Sequence, residues 1–171
     1  MSKNWYVIQI KSGQEEKIAS ELKKRIPSHL LNRCFVPKYK YMVHYQKEWT
    51  TKETVTFPGY VFIQSDDIYK LYSHLKKVSS SIKMLGLNKN EIFPLRNDDI
   101  LFLLRYDENE SFDISRGYII GGKTVITSGP LMGREGIIRK INRHKRLAFL
   151  EIDMLGQTVK VKVGLEIISK T

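Results

Sequence analysis

An α+β domain followed by a small all-β barrel is the architecture this sequence predicts, and three observations carry the prediction. Short apolar runs of strand type alternate with amphipathic helical stripes over the N-terminal two-thirds of the chain. The C-terminal third holds only short β patterns broken by glycine, and a polar stretch separates the two. Interleaved strands and helices imply helices packed on a sheet, whereas consecutive short strands with glycine turns imply a sandwich or barrel.

The elements follow in order. Residues 5–10 form a short strand, and Ser12 and Glu15 then have the spacing of a capping box. The helix they begin carries Ile18, Leu22 and Ile26 on one stripe and closes at Pro27. Residues 34–56 read as an extended hairpin and residues 61–64 as a central strand. Ile68, Leu71, Tyr72 and Leu75 mark a second amphipathic helix starting near Ser65 or Asp66. Asn97 is expected to cap a third. Polar residues 107–116, interrupted by Gly117, suggest a linker, which divides the chain into a first domain at 1–106, a linker at 107–118 and a second domain at 119–171.

In the second domain a β-branched run at 123–127 ends at Ser128-Gly129-Pro130. Gly133 and Gly136 follow at three-residue intervals, as expected where a chain turns tightly and then passes close to another backbone. Ile137-Ile138, residues 147–152 and residues 159–163 supply strands. Thr158, Lys160 and Lys162 alternate with Val159, Val161 and Val163, so one face is buried and the other carries lysine.

Charge indicates the partner. The 171 residues include 29 basic and 18 acidic side chains, a net +11 with an isoelectric point near 9.7, and such an excess favours an anionic ligand. Residues 119–171 hold 10 basic and 4 acidic side chains against 19 and 14 in residues 1–118, so the second domain is the more cationic per residue. Arg139, Lys140, Arg143, His144, Lys145 and Arg146 crowd one turn, with Arg134 before it and Lys160 and Lys162 on the next strand. Concentrated on one hairpin, these charges suit nucleic-acid phosphates. A structured RNA hairpin is favoured over DNA, because a basic β-turn can read A-form shape and no helix-turn-helix is evident. Between residues 38 and 52 lysines interleave with Tyr39, Tyr41, Tyr45 and Trp49, which suits base stacking and equally suits any exposed hairpin.

Other chemistries find little footing. One cysteine, Cys34, excludes an internal disulfide framework and a multi-thiolate metal site. His29, His44, His74 and His144 are scattered without metal-ligand spacing, and the glycine elements lack the Gly-Lys-Ser/Thr ending of a phosphate loop. No cofactor, metal or enzymatic activity is expected. No apolar run reaches the ~20 residues of a membrane span, and no signal-peptide core precedes the first strand. A monomer in a reducing cytoplasm is the expected state.

The motifs at the two ends agree with a known family. Residues 125–136, Val-Ile-x-x-Gly-Pro-Leu-x-Gly-x-x-Gly, with Ile141, the basic turn and Met154-Leu155-Gly156, resemble the KOW domain that ends NusG-type transcription factors. Trp5-Tyr6-Val7-Ile8-Gln9, Ser12-Gly13, Glu16-Lys17 and Phe57-Pro58-Gly59-Tyr60-Val61-Phe62 resemble the N-terminal NGN domain of that family, and together the motifs span nearly the whole chain. The resemblance implies an antiparallel sheet with packed helices joined to a KOW barrel. It implies that Phe57, Tyr60, Phe62 and Met84 line a docking surface for the clamp helices of the RNA polymerase largest subunit. Similarity to the specialised paralogue RfaH implies that Lys11, Lys76 and Lys77 would face the non-template DNA strand, although Ser79-Ser80-Ser81-Ile82 stands where housekeeping members have Thr-Pro-Gly-Val.

Leu131 and Met154-Leu155-Gly156-Gln157 replace the usual Phe and Ile-Phe-Gly-Arg, which is most similar to the LoaP antiterminators. Three functions stay open: a specialised antiterminator whose KOW domain captures an RNA hairpin, a general elongation factor whose KOW domain binds ribosomal protein or termination factor, and a free-standing RNA-binding KOW protein. RfaH-type refolding of the C-terminal domain into helices is not expected, because Val125-Ile126, residues 159–163 and the glycines favour a stable barrel.

Overall fold

The computed structural model describes residues 4–98 and 111–171. The chain forms two compact units, Met1–Pro37 with Phe57–Arg96, and Lys38–Thr56 with Asn97–Thr171.

In the first unit β1 (Asn4–Gln9), β2 (Arg33–Phe35), β5 (Tyr60–Ser65) and β6 (Lys83–Met84) make a sheet ordered β2-β5-β1-β6; β3 (Lys38–Tyr45) and β4 (Glu48–Val55), between β2 and β5 in sequence, belong to the second unit. The alternation of β1 against β5 pairs Ile8 with Val61 and Tyr6 with Ile63, and all four are buried. Helix α1 (Glu15–Arg25) packs on this face with Ala19 and Leu22, and the Cys34 thiol of β2 lies 4.0 Å from the Ala19 carbonyl. Helix α2 (Ile68–Val78) buries Ile68, Leu71 and Leu75. Each such leucine contributes roughly 1.5–3 kcal/mol by leaving water. A two-residue hairpin of β7 (Leu87–Asn88) and β8 (Glu91–Ile92) follows.

Both helix starts differ from the expected ones. Gln14, not Ser12, precedes α1, and no side chain caps it. The Glu15 carboxylate instead accepts from the Gly13 amide at 2.9 Å and, across the unit, from the Gly59 amide at 2.8 Å. A carboxylate in the first turn also meets the positive end of the helix dipole. Helix α2 begins at Ile68 rather than near Ser65 or Asp66, because Asp67 accepts from the Lys70 amide at 3.2 Å and takes the cap position. The expected third helix after Asn97 lies outside the described residues.

The second unit is all β. Its five-stranded sheet, ordered β11-β10-β14-β13-β12, comprises β10 (Ser115–Ile120), β11 (Lys123–Ser128), β12 (Ile138–Asn142), β13 (Leu147–Met154) and β14 (Gln157–Lys170). Strand β14 runs antiparallel to β13 as far as Gly164 and continues parallel to β10 from Leu165. The long strand thus joins the β10–β11 pair to the β12–β13 pair in one sheet. Ala148, Leu150, Ile152 and Met154 bury against Val159, Val161 and Val163, with Leu131 fully enclosed. Ile137, expected in a strand, ends a 3-10 turn at Glu135–Ile137. The close backbone crossing is at Gly129, where a Cβ would lie 2.5 Å from Ser115 Cα; Gly133 and Gly136 face open space.

Residues 107–110 of the expected linker lie outside the described residues. Its remainder is ordered as β9 (Ser111–Phe112) and the first half of β10. The reason is pairing that local sequence cannot announce: β9 runs parallel to β3, and Ser115 is buried with its hydroxyl accepting from the Leu131 amide at 3.0 Å. A three-stranded sheet ordered β4-β3-β9 results. Strand β3 crosses β14 where Gly164 has no side chain, since a Cβ there would sit 2.4 Å from the Lys40 carbonyl.

Candidate nucleic-acid interface

The basic turn joins β12 to β13, and its local chemistry explains its shape. Asn142 Oδ1 accepts from the Lys145 amide at 2.9 Å, the Arg146 amide closes onto the Arg143 carbonyl at 3.3 Å, and Arg146 takes a left-handed φ of 55°. An asparagine bonding its own turn is a recurrent device for tight connections. Arg143, His144 and Lys145 are left exposed at the tip.

Arg146 points elsewhere. Its guanidinium stacks 3.8 Å from the centroid of the Trp49 ring on β4, lies 3.5 Å from Glu166 and donates to Met42 Sδ at 3.2 Å. Arg134 is likewise engaged, donating to the Asp98 carbonyl. Neither joins the tip cluster.

The other cations lie on the outer face of the sheet. Register pairs Phe149 with Lys140 on one side and Lys162 on the other, and the two ammonium groups lie 5.7 and 5.6 Å from the ring centroid. One step further from the turn Glu151 pairs with Lys160, and Arg139 is held by Glu151 at 3.2 Å and by the Gly136 carbonyl at 2.7 Å. A further step brings Asp153, bonded to Thr158. Positive charge therefore rises along the face toward the turn. In the turn before β12, the Glu135 carboxyl is held below the usual carboxylate range by its own amide and that of Ile126, the latter at 3.0 Å.

One member of this face, Phe149, carried no mark at the sequence level. Phe149 escaped notice because both phases of 147–154 are apolar near its start, so Leu147 and Phe149 do not separate from the core positions Ala148 and Leu150. The outward phase shared with Glu151 and Asp153 was the available signal. Trp49, the partner of Arg146, was noted only as part of an aromatic hairpin.

The residues expected to meet polymerase sit in the first unit, and the fold does not gather them on one surface. Phe57 and Phe62 are fully buried, their rings 5.2 Å apart, and Phe62 stacks with Phe35 at 5.9 Å. Met84 is buried beside Ile8, on the opposite face of the sheet from Phe62. Tyr60 alone is partly exposed. On its face lie Trp5 and Arg33, whose guanidinium rests 5.3 Å over the Trp5 ring. Among the lysines expected near DNA, Lys11 and Lys77 are exposed, while Lys76 donates to the Ile82 carbonyl at 2.6 Å and closes the end of α2.

Among the described residues no cluster of histidine, cysteine or carboxylate side chains could hold a metal ion, and no helix is long and apolar enough to cross a membrane.

Comparison with known proteins gives a consistent relationship. A family model described as "Transcription termination factor nusG" matches residues 3–104. The "Transcription termination/antitermination protein NusG" of Staphylococcus aureus (strain Mu50) is 26% identical over 178 aligned positions, covering 99% of this chain and 96% of the relative. The protein of the same name from Staphylococcus carnosus (strain TM300) is 24% identical with the same coverage. A solved structure titled "Domain interaction in Thermotoga maritima NusG" superposes with a TM-score of 0.57 at 21% identity, covering 96% of this chain and 94% of that one, which supports the fold.

Proposed function

The chain belongs to the NusG transcription termination factor family, and from that premise we propose that it is a specialised antiterminator of the LoaP type. The NGN module, residues 1–106, docks on the clamp helices of RNA polymerase, and the KOW module, residues 119–171, captures an RNA hairpin in the nascent transcript. It needs no cofactor, and it works as a monomer in the cytoplasm.

The observation that carries this reading is the arrangement of cations on β12, β13 and β14. Arg143, His144 and Lys145 stand exposed at the tip, and Lys140 and Lys162 continue the positive field along the outer face. Such a surface meets phosphates without a recognition helix. Arg139 and Lys160 sit beside Glu151 and contribute at the margin. Arg134 and Arg146 support the module through Asp98 and Trp49, which narrows the RNA-binding set. The DNA-facing role of Lys11 and Lys77 is a secondary part of the same reading.

The test is binding of a labelled RNA stem-loop to the full chain, with a DNA hairpin of the same sequence as competitor. Reversal of Arg143 and Lys145 to glutamate is expected to weaken RNA binding and to flatten its log-log salt dependence by roughly 0.7–0.9 per lost phosphate contact. Unchanged RNA affinity in that variant would remove the reading.

A second reading, the general elongation factor whose KOW module binds ribosomal protein or termination factor, is favoured by the full-length similarity to the staphylococcal proteins. It predicts weak RNA binding by the wild type and retention of a protein partner by the charge-reversed variant.

A further inference from the structure

Phe149 is a large aromatic in the outward phase of a strand whose inward phase already fills the core. Ala148, Leu150, Ile152 and Met154 are buried, while Leu147, Phe149 and Glu151 are partly exposed and Asp153 is exposed. The ring is left partly exposed on the outer face of the sheet. What flanks it are two lysines, Lys140 on β12 and Lys162 on β14, in direct register and each with its ammonium within 6 Å of the ring centroid. An exposed cation–π contact of this kind is weak, so a better partner for either group displaces it readily.

We propose that Lys140, Phe149 and Lys162 form a docking site for one unpaired base of the RNA. The base stacks on the Phe149 ring, and the two ammonium groups swing outward onto the phosphates on either side of it. The proposal rests on the RNA-binding reading above and specifies how RNA is held.

Three features of the surface select this occupant. The ring offers a π-face with positive charge on both sides, which complements a base between two phosphates. A single ring on a sheet cannot enter the deep, narrow groove of an A-form helix, so a splayed base fits it and a paired stem does not. Its place on the hairpin is the third feature: Phe149 lies four positions after Lys145, on the strand that leaves the basic turn. The tip can therefore hold stem phosphates while the sheet receives a base from the loop or flank. Positive charge falls off in the other direction, where Glu151, held by Arg139, and Asp153 occupy the outward phase, so the site centres on Phe149.

The experiment uses the full chain with two probes: a single-stranded oligouridine carrying one central 2-aminopurine, and a fully paired RNA duplex of the same length. Wild type is expected to bind the single strand with a change in 2-aminopurine fluorescence that reports stacking. Phe149→Ala and Phe149→Leu should both weaken that binding by about 5- to 150-fold, the range for loss of one base–aromatic stack, and should abolish the fluorescence change. Phe149→Trp should restore both. Duplex affinity and the salt slope should remain at wild-type values in all three variants, because no phosphate contact is removed. Lys140→Gln and Lys162→Gln should each flatten the single-strand salt slope by roughly 0.7 while keeping the fluorescence change.

The proposal is overturned if Phe149→Leu binds the single strand as wild type does while reversal of Arg143 and Lys145 still weakens the duplex; the RNA-binding reading then survives alone. Equal losses on single strand and duplex for Phe149→Leu would also overturn it, since they mark a structural role. Wild-type protein that binds neither probe would overturn both together.

Discussion

Glu15 is a buried carboxylate held by backbone amides. Burial alone would raise its pKa, but the amides of Gly13 and Gly59 outweigh that and hold it below the ordinary carboxylate range. A depressed folded-state pKa means that the folded chain binds fewer protons than the unfolded one. The stabilisation is therefore complete above the unfolded glutamate value of roughly 4.3 and disappears as pH falls toward the folded value. Glu15→Gln places an amide against backbone donors and should cost about 1.5–3 kcal/mol at neutral pH, the range for hydrogen bonds to a charged group. Urea unfolding of both proteins at pH 7 and below pH 4 should show the gap closing in acid; a gap independent of pH would refute this account. The capping-box spacing made Glu15 legible as a helix-start residue, but its bond to Gly59, 44 positions away, is a tertiary contact that no local pattern encodes. Arg146 makes the same point in reverse: it reads as one more charge in the turn, and only its left-handed backbone turns it back onto Trp49.

At the level of elements, β11 was legible as a β-branched run, β13 as an apolar one, and the first half of β14 by its alternation of buried and solvated positions. Strand β10 was not. Its Ser-Arg-Gly start follows a polar stretch, and its pairing with the second half of β14 is parallel and distant in sequence. The hairpin of β3 and β4 was expected as an element, yet its membership of the β unit was hidden. That membership depends on Gly164 passing the Lys40 carbonyl and on Arg146 reaching Trp49 and Met42. The Arg146–Trp49 stack should couple hairpin to barrel by about 1 kcal/mol, between the exposed and desolvated limits for cation–π pairs. A double-mutant cycle with Arg146→Ala and Trp49→Ala, read by denaturant unfolding, measures it. Strictly additive effects, within about 0.3–0.5 kcal/mol, would mean that the hairpin is held by β9 pairing and the Gly164 crossing alone.

For the whole molecule, the proposed role needs two weak contacts on one chain to act as one strong one. RNA held by the KOW module keeps the NGN module near polymerase at an effective concentration set by the connection between them, which can raise overall affinity by roughly 10²–10⁴ without a new contact. The informative probe of the polymerase side is Tyr60. Phe57 and Phe62 are fully buried, so changing them tests folding, whereas Tyr60 is partly exposed on the face it shares with Trp5 and Arg33. Tyr60→Asp should abolish association with RNA polymerase at unchanged thermal stability and unchanged RNA affinity. Reversal of Arg143 and Lys145 should leave bare polymerase binding intact and remove only the gain seen when the transcript carries the RNA signal. If Tyr60→Asp still assembles with polymerase, the docking surface lies elsewhere on the sheet. If the RNA signal adds nothing to wild-type recruitment, the two modules act independently and the general-factor reading takes precedence.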